Sequence, residues 1–166
     1  MREDFNKKSP KDPDYYLMMY VLIIFSFNNQ IRFNQAGEFN LPVGKRDFNP
    51  RMEKKLSKFI RRIHNMDYTF TNMDFRDFPL DSLEKDSFIY ADPPYLITCA
   101  TYNERDGWGE EDEKDLLAFL DKADSLGLRF ALSNVMKSKG KKNTILMDWA
   151  KKNKGRYKVV HLDYDY

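Results

Sequence analysis

A single cysteine, Cys99, excludes an internal disulfide, and the two histidines, His64 and His161, stand too far apart in sequence to suggest metal-ligand spacing. Metal chemistry is therefore not expected. Glycine is scarce too: the seven residues (37, 44, 107, 109, 127, 140 and 155) never cluster into a phosphate- or nucleoside-binding turn, the nearest approach being "GWG" beside an acidic stretch. The longest apolar run, "YYLMMYVLIIFSF" (15–27), falls short of the roughly 18 residues that a membrane span requires, so it reads as a buried helix or strand. The opening "MREDFNKKSPKD" lacks the apolar core of a signal peptide, which predicts a cytoplasmic protein with no membrane partner.

Charge is present and unevenly placed. Residues 1–66 carry 13 Lys and Arg against 7 Asp and Glu, whereas residues 67–166 carry 15 against 19. The first part is thus the one suited to a polyanion. With 42% hydrophobic and 33% charged residues, the 166-residue chain has the composition of one cored domain, or of a domain with a small appendage.

The second part alternates strands and helices. "DYTFTN" (67–72) and "SFIYA" (87–91) are short, β-branched or aromatic, and bounded by polar clusters, which predicts strands. "GEEDEKDLLAFLDKADSLG" (109–127) places acids in a first turn, Leu116, Leu117, Leu120 and Ala123 at helical spacing, and Gly127 at the stop. "LRFALSN" (128–134) is then a strand, parallel to 87–91 because a helix connects them. A further helix (143–153) and strand (157–166) follow. In the first part, Asn49 and Pro50 open a helix. Before it, Ile31 with Phe33 and Phe39 with Leu41 flank Asn34–Gly37 and predict a β-hairpin.

The most informative stretch is "FIYADPPYLIT" (88–98). In open α/β sheets ligands bind beyond the carboxyl ends of the strands, which is where Asp92–Tyr95 falls. Pro93 and Pro94 fix their own φ and bias the residues before them towards extended backbone. The result is a stiff segment carrying one carboxylate, carbonyl oxygens free of competing N–H groups, and the aromatic ring of Tyr95. A flat heterocycle with an amino group needs two acceptors and a ring to stack on, and this set supplies both. A tight turn with a capping Asp would use the same residues, but the tetrapeptide arises by chance in about one chain in a thousand of this length.

"DPPY" after an apolar strand resembles the catalytic motif of the amino-methyltransferases. With "FNNQIRFNQAGEFNLPVGKRDFN", "DFRDF" and "FALSNV" the chain resembles the Dam-type DNA adenine-N6 methyltransferases that modify GATC, from about residue 15 to its end. The resemblance implies an α/β fold: a partial Rossmann-like S-adenosylmethionine-dependent sheet with an inserted helical and β-hairpin DNA-recognition region. It implies a target-recognition region over 1–49 and a catalytic half-domain over 50–166. The methyl group of S-adenosyl-L-methionine would pass to the exocyclic amine of an adenine flipped from double-stranded DNA. Asp92 and the Pro93 carbonyl would accept the amine hydrogens, Pro94 would stiffen the segment and Tyr95 would stack on the base. Asp74 and Phe75, with Asp92, would contact the cofactor. Arg32 would read guanine; Asn28, Gln30 and Asn34 would contact bases or fill space near the flipped position; and Lys45 and Arg46 would meet phosphates or neighbouring bases. "SNV" (133–135) would line the adenine pocket.

The family's glycine-rich turn, which wraps the methionine end of the cofactor, has no counterpart, and the family's last strands would lie beyond "HLDYDY". The resemblance therefore implies a fragment lacking the N-terminal cofactor segment and incomplete alone: either activity requires a second polypeptide supplying that half, or the chain is a decayed or truncated gene product. Two other readings use the same residues: a catalytically inactive, sequence-specific DNA-binding fragment, and a methyltransferase for another planar amine.

Overall fold

In the computed structural model, residues 1–98 and 108–162 are described. They fall into two compact units, Met1–Thr71 and Asn72–Tyr166. No helix among the described residues is long and apolar enough to cross a membrane.

The first unit holds α1 (Arg2–Asn6), α2 (Tyr15–Phe25) and α3 (Pro50–His64). The apolar run is the helix α2, but it is buried on one side only, since Tyr16 and Leu17 are exposed. Its Tyr15, Met18, Met19, Leu22 and Ile23 pack on a core of Phe5, Phe39 and Leu41. Fully burying Phe5, Phe39 and Leu41 contributes about 1.5–3 kcal/mol each. Asn6 pins Phe39 from the side: its Oδ1 accepts from the Phe39 amide at 2.8 Å and its Nδ2 donates to the Phe39 carbonyl at 3.2 Å. The predicted hairpin forms as isolated antiparallel bridges, Phe33 with Phe39 and Ser26 with Val43, around a turn at Asn34–Gly37. Only its second arm is buried; Ile31 and Phe33 lie exposed, so alternation holds on one arm alone. Gly44 passes so close to the Ser26 carbonyl that a Cβ there would sit 2.5 Å from its oxygen. α3 starts where Asn49 and Pro50 predict, with the Asn49 side chain accepting from the amides of Arg51 and Met52.

The second unit contains β1 (Phe88–Ala91), α4 (Glu110–Ser125), β2 (Arg129–Leu132), the two-residue strands β3 (Lys137–Ser138) and β4 (Lys141–Lys142), and α5 (Thr144–Lys152). β1 and β2 pair in parallel, Phe88 opposite Arg129 through Ala91 opposite Leu132, with α4 as the connection. α4 ends as its sequence predicts. Gly127 takes φ +79°, its amide donates to the Asp124 carbonyl, and the Leu128 amide donates to the Ala123 carbonyl, so the last turn's carbonyls are satisfied. Leu128 then packs with Ala123 and Leu80, and Ile89 of β1 lies against this cluster. The basic "KSKGKKN" segment is a tight hairpin, β3 antiparallel to β4, turning at Lys139 and Gly140, both with positive φ.

Two expected strands are not found among the described residues. Residues 67–72 have no ladder partner among the described residues, and Tyr68 and Phe70 stack on each other in solvent at 6.1 Å instead. Residues 157–162 are not a strand either; a single bridge joins Lys154 and Tyr157, and 163–166 lie outside the described residues. Tyr157 turns inward on Phe130 and Trp149. Burial, with the Asp121 carboxylate that its hydroxyl bonds, pushes its phenol up to about 12. The architecture is thus mixed α/β with small sheets.

Candidate functional site

The carboxyl ends of β1 and β2 lie side by side, and the ladder runs one bond further, from the Ser133 amide to the Ala91 carbonyl at 2.9 Å. Asp92 follows Ala91 directly, so the acid and Ser133 leave the sheet together. Tyr95 joins them. Its hydroxyl donates to Asp92 Oδ1 at 3.0 Å and lies 3.0 Å from Ser133 Oγ. The carboxylate is exposed, Pro93 and Tyr95 are half-buried, and no described residue donates to the Pro93 carbonyl. Among the described residues, the Pro93 carbonyl and the second oxygen of the Asp92 carboxylate accept no hydrogen bond. Residues 99–107 of the same stretch lie outside the described residues.

Asp74 and Phe75 sit in a single helical turn, Phe75–Asp77, which Asp74 caps by accepting from the Arg76 amide. The ring of Phe75 meets Phe119 edge-on at 5.7 Å and Trp108 at 5.9 Å. Arg76, which the sequence reading passes over, clasps this turn onto α4. Its guanidinium bonds Asp74 at 3.0 Å, Asp112 at 2.6 Å and Asp115 at 2.6 Å, and lies over the Phe75 ring. The Arg76 amide, then its guanidinium, hold the Asp74 carboxyl below the usual range. For Asp112 the Gly109 amide comes first, and Arg76 adds to it.

Because both folded-state values are depressed, the clasp's stabilisation is present above the unfolded carboxylate value, about 3.9, and is lost as pH falls through the lower folded values. With Trp149 replaced by Phe, Trp108 fluorescence is expected to report that loss as an acid transition below about pH 4. Arg76→Met should move the midpoint upward; an unmoved midpoint would mean that Arg76 does not hold the turn.

Behind both groups lies a carboxylate that the sequence presents only as a first-turn acid. Glu113 is fully buried. Its Oε1 accepts from Asn143 Nδ2 at 2.7 Å and Asn134 Nδ2 at 3.0 Å, and its Oε2 accepts from Trp108 Nε1 at 2.8 Å. One side chain therefore anchors the Trp108 that touches Phe75, the Asn134 adjoining Ser133, and the Asn143 that caps α5 by accepting from the Leu146 amide. The available signal was position: Glu113 lies in line with Leu116, Leu117, Leu120 and Ala123, on the core face of α4.

In the first unit, Arg32 is half-buried and bonded across the hairpin to a residue the sequence reading did not single out. Its Nε donates to Asn40 Oδ1 at 2.8 Å and its Nη2 to the Asn40 carbonyl at 3.2 Å. Asn40 thus takes one side edge of the guanidinium and leaves the end edge, Nη1 with the second hydrogen of Nη2. The side chain of Asn34 is committed to its turn, accepting from the amides of Ala36 and Glu38 and donating to Glu38. Asn28 is exposed with φ 55°, and Gln30 is half-buried. Lys45 and Arg46 are exposed, and Arg46 donates to Asn29 Oδ1 at 3.1 Å.

The sequence model of the D12 class N6 adenine-specific DNA methyltransferases matches residues 1–163. The chain is 42% identical over 156 residues to modification methylase StsI of Streptococcus sanguinis, an alignment covering 90% of this chain and 24% of that protein. It is 39% identical over 172 residues to type II methyltransferase M.FokI of Planomicrobium okeanokoites, covering 99% and 25%. To the DNA adenine methylase of Salmonella typhimurium it is 32% identical over 106 residues, covering 62% and 36%. The chain spans about a quarter of the length of the first two relatives.

Proposed function

Because this chain belongs to the D12 class N6 adenine-specific DNA methyltransferase family, we propose that it carries the acceptor side of a DNA adenine methyltransferase site. The observation that carries the reading is the placement of Asp92 and Tyr95, hydrogen-bonded to each other and to Ser133, at the carboxyl end of the parallel ladder. Asp92 and the Pro93 carbonyl accept the two amine hydrogens of the target adenine and aim the nitrogen lone pair. Pro94 keeps the segment stiff, and Tyr95 presents its ring to the base. An adenine within a duplex cannot reach such acceptors, so it is flipped out at a cost of about a few kcal/mol. S-adenosyl-L-methionine, when bound, supplies a methyl group already activated on sulfonium, so the chain's contribution is alignment, worth about 7–11 kcal/mol. Asp74 and Phe75 take the cofactor's base, Asp74 at the edge and Phe75 at the face, with Asp92 close to the reacting groups.

Sequence reading falls to the hairpin, with GATC as the proposed target. Asn40 holds Arg32 by one side edge and leaves the end edge for guanine O6 and N7, a contact worth about 1–3 kcal/mol of discrimination. Asn28 and Gln30 lie on the same segment for base contacts, Asn34 shapes the tip, and Lys45 and Arg46 face phosphates or neighbouring bases.

The reading is tested with duplexes that differ only in a GATC site, at one salt concentration. Tighter binding of the GATC duplex is expected, and Arg32→Ala should lower that preference by about 1–3 kcal/mol without unfolding the chain. Equal binding of both duplexes by the native chain would remove the sequence-reading role.

A further inference from the structure

We propose that one face of α3 is a sequence-independent grip for the phosphate backbone of duplex DNA, an inference that rests on the DNA-binding reading above. The fifteen residues Pro50–His64 form a helix about 22 Å long. At 100° per residue, Arg51, Lys54, Lys55, Lys58, Arg61 and Arg62 fall within an arc of about 120°. Met52, Leu56, Phe59, Ile60 and Ile63 occupy a separate stripe, and the one acid, Glu53, lies outside the basic arc. All six cations are exposed, and none forms an ion pair among the described residues.

Some exposed cations elsewhere are paired, whereas others, such as Lys141 and Lys142, have no ion pair among the described residues. Arg76, Lys114, Lys122 and Arg156 each meet a carboxylate. On α3, like charges recur three and four residues apart, an arrangement that weakens a helix through repulsion. A bound polyanion removes that repulsion. Duplex DNA fits because its charges are regularly spaced along a rigid line, as those of the helix are, and because neutralising each phosphate releases a condensed counterion. Lys45 and Arg46 add cations to the same unit.

The measurement is the salt dependence of duplex affinity for the native chain and for a variant carrying Lys54→Gln, Lys58→Gln, Arg61→Gln and Arg62→Gln. Glutamine keeps helix propensity close to that of lysine and arginine. Each lost phosphate contact flattens the slope of log K against log salt by about 0.9. The variant is expected to lose a slope of about 2 to 4, equally on duplexes with and without GATC, whereas Lys54→Arg with Lys58→Arg keeps the native slope. Circular dichroism of both variants confirms that the helix is retained.

An unchanged slope in the folded variant overturns the grip while leaving the hairpin reading intact. Loss of binding to phosphatidylserine vesicles with an unchanged DNA slope also overturns it and assigns the face to an anionic membrane. A native chain that grips duplexes through α3 without preferring GATC upholds the grip and removes only the sequence-reading role. A native chain that binds no duplex overturns both.

Discussion

Asp92→Ala is expected to cut methyl transfer to duplex DNA by a factor of about 10² to 10³ or more, the loss that follows removal of one preorganised polar group from a reacting centre. The carboxylate is the stronger of the two acceptors on the 92–95 segment, and its Oδ1 is also what the Tyr95 hydroxyl bonds. Alanine therefore removes an amine acceptor and a restraint on the ring together. Asp92→Asn keeps the size and one oxygen, but turns an NH2 group towards either Tyr95 or the incoming amine, so a smaller loss is expected. Duplex affinity should not change in either variant, since the hairpin and α3 belong to the other unit. Transfer is followed with labelled S-adenosylmethionine and binding by fluorescence anisotropy. Native-rate transfer by Asp92→Ala would sink the assignment. A native chain that binds specifically but transfers nothing would favour the non-catalytic DNA-binding reading.

Glu113→Ala is expected to destabilise the second unit by about 2–6 kcal/mol, because it leaves the buried Asn143 donor without its acceptor, at about 1–3 kcal/mol, and removes the part-buried bonds from Trp108 and Asn134, each worth about 0.5–1.5 kcal/mol. For a domain whose total stability is about 5–15 kcal/mol, that is a large share. Glu113→Gln preserves the volume but sets an amide donor against at least one of the same donors, so about 1–3 kcal/mol is expected. Urea denaturation followed by circular dichroism measures both. An alanine variant within about 1 kcal/mol of the native chain would show that entering water satisfies all three donors. The effect should also reach function, because Asn134 follows Ser133 at the end of β2 and accepts from the Val135 amide, and Trp108 leans on Phe75.

Local signals in the sequence were read correctly where the backbone chemistry is local. Asn49 and Pro50 start α3, and Gly127 ends α4 because only a residue tolerant of positive φ lets the chain turn back there. The parallel pairing of β1 and β2 followed from the length of their connection. Residues 67–72 and 157–162 misled because aromatic and β-branched content measures how well a segment fits a pleated surface beside a neighbour. Tyr68 and Phe70 have no such neighbour among the described residues, and Tyr157 found an aromatic cluster instead. The motif at 92–95 was visible as a contiguous string, whereas its supports were not. Asn40 and Ser133 act across the fold from Arg32 and Tyr95, eight and 38 residues away, and the three carboxylates around Arg76 span Asp74 to Asp115. Glu113 was hidden by its context, since four consecutive acids at a helix start suggest the helix dipole rather than a buried anchor.

Among the described residues, β1 and β2 each pair along one edge only, and Phe88 and Tyr90 present their rings to solvent. A ladder of this kind is an unfinished template whose outer N–H and C=O groups can accept another extended strand about 4.8 Å away. The colloidal behaviour of the chain is thereby set at its sheet: a net charge of only +2 gives little mutual repulsion, and concentration favours strand-on-strand growth from either edge.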